Sequence, residues 1–239
     1  MTDTSYNPST VRWLGVGFIA FAIAFNLPFT YLGSNFNYPA ILREPVSTIL
    51  PAFAAGGTGL ILAWFGFMVA GLVLAPVAVG IAKATARSGN AAHAVAGLGV
   101  AAALAQAIGL SRWVYAVPGL AAQWSAATDP VTKAAIEQTF TTLHQFAGVG
   151  VGEAIGQSLT AFWVIGVALA QWRHPRFGAA VAILGIVTGI VLVVGLSEGL
   201  ATAIPFSPGI LGMAALIGFI LLSLWLIWTG ILCLLRPTA

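Results

Sequence analysis

Charge is what this chain has least of. Asp, Glu, Lys and Arg make up 6% of its 239 residues, whereas hydrophobic residues make up 59%. A soluble domain carries charge on about a quarter of its positions, so a soluble fold is excluded. Cysteine is nearly absent as well. With Cys233 alone, no intrachain disulfide and no thiolate metal site can form. Histidine is limited to His93, His144 and His174, with no His-x-x-x-His or His-Glu-x-x-His spacing, which argues against a metal hydrolase. A haem between helices would need two histidines at similar depth, and only His93 with His174 come near that, so we expect no metal and no cofactor. The glycines lie inside apolar runs and form no phosphate loop or dinucleotide fingerprint. The net charge of +3 comes from scattered Lys and Arg with no basic stripe, so nucleic acid is not an expected partner.

What the chain does have is long apolar runs. A window of about 19 residues gives six of them, at 11–32, 57–81, 92–117, 146–170, 177–200 and 210–234. Each is long enough to cross about 30 Å of hydrocarbon as a helix, the form in which backbone groups satisfy one another within a segment. The expected fold is therefore all-α: one transmembrane helical domain over residues 1–239, with membrane lipids as its surroundings. Arg12 followed by Trp13 to Phe25 resembles the start of a signal peptide. The small-residue site Ala22-Ile23-Ala24 lies inside the apolar run, however, so this segment reads as the retained first span. Lys and Arg set the orientation. Arg12, Lys83, Arg87, Arg173, Arg176 and Arg236 fall on one side and Arg43, Arg112 and Lys133 on the other, which puts both termini in the cytoplasm.

Two outer connections are long enough to hold structure. Residues 33–56 contain Asn37-Tyr38-Pro39 and Glu44-Pro45, signals of a folded re-entrant or interfacial segment. Asp129-Pro130 caps a helix carrying Ile136, Phe140 and Leu143 at helical spacing. This reads as an interfacial helix joined to the fourth span at Gly148, Gly150 and Gly152. Gly148, Gly152 and Gly156, with Gly185 and Gly189 and with Gly195 and Gly199, form small-residue stripes that suit close packing within one bundle or helix–helix oligomer contacts. Trp13, Trp113, Trp124, Trp172, Trp225 and Trp228 read as interfacial anchors.

The few charges inside the spans share one depth. His93 to Arg112 is 19 residues, Arg176 to Glu198 is 22, and Glu153 to Arg173 is 20, each about 30 Å of helix from the cytoplasmic anchors. Arg112, Glu153 and Glu198 thus approach the outer boundary, near Arg43 and His144 in the outer connections. Such charges either pin helices at the interface or build a site. Gln157 and Thr160 share a helical face with Glu153 and Gly150, leading inward from this rim, and Asn26 and Gln106 add polar atoms below it. A mostly apolar pocket with a few converging polar groups is how small-molecule sites are built. Arg112 either holds a carboxylate or phosphate head group or pairs with Glu153 or Glu198 as a clamp. The latter pairing is suggested by the matching ends Gly109-Leu110-Ser111-Arg112 and Gly195-Leu196-Ser197-Glu198.

The runs Asn37-Tyr38-Pro39-Ala40-Ile41-Leu42-Arg43-Glu44-Pro45, Gly109-Leu110-Ser111-Arg112-Trp113, Leu143-His144-Gln145, Gly152-Glu153 with Gly156, and Ser223-Leu224-Trp225-Leu226-Ile227 resemble bacterial membrane proteins of domain-of-unknown-function family 4386. The resemblance implies a compact multi-span protein of the bacterial inner membrane and carries no activity with it. Similar proteins often have His directly after the Gly-Glu pair. Here that residue is Ala154, which weakens any shared metal or acid-base role. The expectation is a ligand-binding rim of Arg43, Arg112, His144, Glu153, Gln157 and Glu198 that takes a small amphipathic or anionic ligand, for transport or sensing. The alternatives are a membrane enzyme acting on a lipid or quinone, for which no catalytic residue stands out, and an accessory subunit of a membrane complex. A cavity reaching Gln157 from the rim favours binding, and a closed core favours the accessory subunit.

Overall fold

A computed structural model describes residues 7–85 and 90–238; Arg87, assigned above to the cytoplasmic side, lies outside the described residues. Among them there is no strand, and six helical stretches are long and apolar enough to cross a membrane. Helix α1 (Pro8–Phe36) opens with Pro8 in its first turn, where the missing N–H has no cost, and with the Asn7 side chain accepting the Ser9 N–H at 3.0 Å. It stops where Asn37 turns left-handed, at φ 51°. A 3₁₀ turn (Ala40–Arg43) follows, and then α2 (Val46–Thr85). Gly57, at φ 55°, breaks α2 at the point where the apolar run of the sequence begins. Residues 33–56 are therefore folded, as their prolines and turn formers predict, and they bury Phe36, Ile41, Leu50 and Phe53.

Helices α3 (Asn90–Tyr115) and α4 (Val117–Ala126) follow, and then α5 (Pro130–Leu143). Asp129 caps α5. Its carboxylate accepts the Thr132 N–H at 2.8 Å, and that bond holds its pKa below the ordinary 3.8. The glycines expected to join this helix to the fourth span lie in a change of helix type: α5 runs on through a π-helical segment (His144–Gln157) into α6 (Ser158–Gln171), one 42-residue helical stretch in all. Helix α7 (Ala179–Leu200), a 3₁₀ turn (Gly209–Met213) and α8 (Ala214–Leu235) complete the chain.

Each spanning helix packs on the next in sequence, and α8 closes the ring against α1. The outer flanks carry exposed Leu62, Ile108, Phe162, Ile190 and Ile220, as a lipid-facing surface requires. Two cores fill the ring at different levels. One is packed around Phe18, Ile81, Trp163, Trp225 and Cys233, and the other around Phe36, Phe53, Trp64, Trp113 and Phe140. Trp113 and Trp225 are fully buried and so are core residues, while Trp13 projects outward, 73% exposed. At the end of the first core, the Arg176 guanidinium donates to the carbonyls of Arg236, Ala84 and Pro237 at 2.9, 3.0 and 3.1 Å, tying together the ends of α2 and α8.

The glycine stripes face into the bundle. Gly152 meets Gly109, Gly156 lies against Gln106, and Gly195 lies against the backbone of Ala215. A methyl on Gly109 would fall 2.6 Å from the Gly152 Cα, backbone that has no side chain to swing aside, whereas one on Gly97 meets nothing within 4 Å. Gly109→Ala is expected to destabilise the protein by about 1–3 kcal/mol. Gly97→Ala should leave it within about 0.5 kcal/mol of the parent. Thermal unfolding in lipid nanodiscs measures both.

Candidate functional site

The ring encloses a cavity of about 380 Å³. Its mouth is edged by Pro39, Ala40 and Arg43 from the α1–α2 connection and by Gly212 and Met213 before α8. Its wall is largely apolar and carries the aromatic rings of Phe25, Phe29, Tyr38, Trp64, Phe67, Trp113 and Phe219. Trp64 and Trp113 stack at 4.7 Å, and the Tyr38 ring stands edge-on to Trp64 at 5.2 Å and to Phe29 at 5.4 Å. Burial pushes the Tyr38 hydroxyl's pKa well above its ordinary 10.0, and the nearby Glu153 carboxylate adds to the effect. The phenol therefore stays protonated and able to donate.

Five of the six expected rim residues line this cavity: Arg43, Arg112, Glu153, Gln157 and Glu198. Arg43 is the hub. Its Nη2 donates to Glu153 Oε2 at 2.8 Å and its Nε lies 3.2 Å from Glu198 Oε1. Burial works against its charge, but Glu153 and then Glu198 outweigh that and raise its pKa above the ordinary arginine value. The pairing of Arg112 with a glutamate suggested by the matched helix ends does not occur. Both carboxylates are taken by Arg43, which the fold of the 33–56 connection brings to them.

Arg112 is left without a carboxylate partner among the described residues. It is 7% exposed. One guanidinium nitrogen donates to the carbonyl of Gly109 in its own helix, Nε has no hydrogen-bond partner, and the group lies 5.2 Å from the Trp113 ring centre. Gly148 makes room for it, since a Cβ there would sit 2.6 Å from the guanidinium carbon.

The π-helical register decides what this stretch presents to the cavity. Bonds from i to i+5 stack residues five apart, so Gly148 with Glu153 and Gly152 with Gln157 form two rows, and all four line the wall. The α-helical face expected to join Gly150 and Thr160 to Glu153 and Gln157 is thereby corrected, since Gly150 and Thr160 are not on the wall. Thr160 instead accepts from Gln106 Nε2 at 2.6 Å, while Gln157 Nε2 donates to the Leu192 carbonyl at 2.7 Å. These bonds floor the cavity. Asn26 lies outside it, donating to Ser223 at 2.8 Å.

His144 is the sixth expected residue, and it is not on the wall. It is buried, stacked on Phe140 at 5.5 Å and edge-on to Trp113 at 6.2 Å, with no hydrogen bond of good geometry to either nitrogen, although the Leu42 backbone lies near it. Among the described residues no three His, Cys, Asp or Glu side chains meet in a way that could hold a metal ion. Sequence reasoning missed the aromatic wall. Its traces were Phe25 with Phe29 and Trp64 with Phe67, pairs at helical spacing on adjacent spans.

Replacing Arg43 by Gln strands two carboxylates at the cavity mouth. Because all three side chains are about 30% exposed, the expected loss is modest, about 1–3 kcal/mol. The triple variant R43Q/E153Q/E198Q should recover most of it. Denaturation midpoints of parent, single and triple variants test this; a triple variant no more stable than the single would show that the ion pairs carry little.

No curated protein and no solved structure matches the chain. The profile described as a domain of unknown function, DUF4386, matches residues 13–230, a stretch that contains every residue of the cavity wall. The chain is a multi-pass membrane protein and belongs to the DUF4386 family.

Proposed function

We propose that the protein binds a small amphipathic anion in this cavity, as the recognition step of transport or sensing. The observation that carries the reading is Arg112, a guanidinium more than nine-tenths buried, without a carboxylate partner among the described residues, on the wall of a largely apolar chamber. A buried cation is costly unless an anion meets it. A ligand carboxylate or phosphate would supply that anion, and Phe25, Phe29, Phe67 and Phe219 would cover an apolar body. The distribution of Lys and Arg supports a mouth on the face away from the cytoplasm, with both termini inside. On this reading, and with the resemblance to bacterial proteins as its support, the mouth opens on the outer face of the inner membrane.

The open chamber reaching Gln157 supports binding over an accessory subunit that would need only a closed core. The enzyme alternative calls for a carboxylate facing the chamber beside an electrophile or cofactor; Glu153 and Glu198 do face it, and their engagement by Arg43 supports the binding reading over that one.

Protein in nanodiscs, titrated with 4-phenylbutyrate and phenyl phosphate and with 4-phenylbutylammonium as the cationic counterpart, tests the reading by calorimetry and by quenching of Trp64 and Trp113. We expect at least one anion to bind and the ammonium not to. Arg112→Gln should lower the anion's affinity by about 10- to 100-fold, the worth of a charge-assisted bond. Equal binding of cation and anion, or an indifferent Arg112→Gln variant, would sink the reading.

A further inference from the structure

The charged residues on the cavity wall are two cations, Arg43 and Arg112, and two anions, Glu153 and Glu198. These four charges sum to zero. An anion seated on Arg112 makes the lining net negative, with Arg43 alone facing two carboxylates at a half-buried mouth. Like charges sharing one site in such surroundings favour protonation of one of them.

We propose that each anion enters together with one proton, which lodges on Glu198, so that the site takes the elements of a weak organic acid and not a bare anion. This rests on the anion-binding reading above. Glu198 is the more weakly held carboxylate: both glutamates accept from Arg43, Glu153 at 2.8 Å and Glu198 at the longer 3.2 Å. The titratable and charged groups facing it are Arg43, Glu153 and Tyr38, with Arg112 further along the same wall. The cavity-lining residues of α1, Phe25 and Phe29, and those of α8 with its preceding turn, Gly212 to Phe219, include no titratable side chain. The burial of Tyr38 keeps its phenol protonated, so it does not compete as the acceptor. The event is a proton transfer from bulk water to a Glu198 carboxylate oxygen. No bond in the ligand is made or broken, and the chamber returns to neutrality.

The test is calorimetric titration of the full chain in nanodiscs with 4-phenylbutyrate, in buffers of differing ionisation enthalpy, with 4-phenylbutanol as the neutral counterpart. The parent should take up about one proton per phenylbutyrate, with affinity falling about tenfold per pH unit on the alkaline side, and none with phenylbutanol. Glu198→Gln imitates the protonated state, so it should bind phenylbutyrate without proton uptake and with a flattened pH profile. Thermal unfolding confirms that the variant is folded, and uptake by the parent needs no variant. Binding of phenylbutyrate by the parent without uptake overturns proton coupling and leaves the anion site standing. Uptake that survives in Glu198→Gln but disappears in Glu153→Gln overturns the assignment to Glu198. Failure of phenylbutyrate and phenyl phosphate alike to bind overturns both readings.

Discussion

One guanidinium shared by two carboxylates organises the outer half of this bundle. Arg43 comes from the connection between α1 and α2, Glu153 from the π-helical segment and Glu198 from α7, so two contacts tie together three stretches distant in sequence. Charges near lipid are tolerated when they are paired or reach water, and this trio does both, being about 30% exposed at the mouth. The consequence lies deeper. Because Arg43 holds both glutamates, Arg112 makes no ion pair of its own: a carbonyl of its own helix and the face of Trp113 touch it, and Glu153 acts on it from a distance. The mouth and the chamber are thus one electrostatic unit.

Much of this was legible in the sequence because it follows from length and period. Six apolar runs forecast six helices, and counting from the basic anchors put Arg112, Glu153 and Glu198 at one depth. Their convergence on a single chamber is the geometric outcome of that count. What escaped was everything that depends on how irregular backbone folds. Arg43 was read as a neighbour of the rim and is its hub, because a short 3₁₀ turn and a left-handed Asn37 turn the connection back over the bundle. The face of the fourth span was read with α-helical spacing, which brings in Gly150. The i to i+5 register replaces Gly150 with Gly148 and Gly152. Nothing in a periodicity count distinguishes the two when glycine occupies every second or fourth place. Trp113 sits near a span end, where tryptophan commonly anchors, and Trp225 lies midway along α8; ring stacking with Trp64 and contact with Trp163 place both inside the bundle.

A cavity in a membrane protein has to be held open as well as lined. Lipid-embedded helices gain little from apolar collapse, so packing surfaces decide the spacing. Around the chamber the helices meet through glycine: Gly109 against Gly152 brings α3 and the π-helical segment to backbone contact, and Gly195 does the same against α8. Close contact at those crossings leaves the aromatic rings of α1 and α2 to stand around the remaining space. Gly148 completes the arrangement by leaving room for the Arg112 guanidinium, which any side chain at that position would displace.

The two ends of the bundle are not equivalent, and this bears on how a bound ligand would leave. Beyond the Gln106–Thr160 and Gln157–Leu192 hydrogen bonds lies the dense layer of Phe18, Ile81, Trp163 and Trp225, and past it the Arg176 guanidinium ties the ends of α2 and α8. As it stands the chamber is single-ended, a geometry that suits a receptor directly. Release to the opposite side would require those two glutamine bonds to break and the tryptophan layer to part. Helix α7 meets its neighbours there through glycine, with Gly185 against Ala168 and Trp225, Gly189 against Ile165 and Gly195 against the backbone of Ala215. Glu198 lies near the end of the same helix, so α7 joins these close crossings to the Arg43 pairing at the mouth.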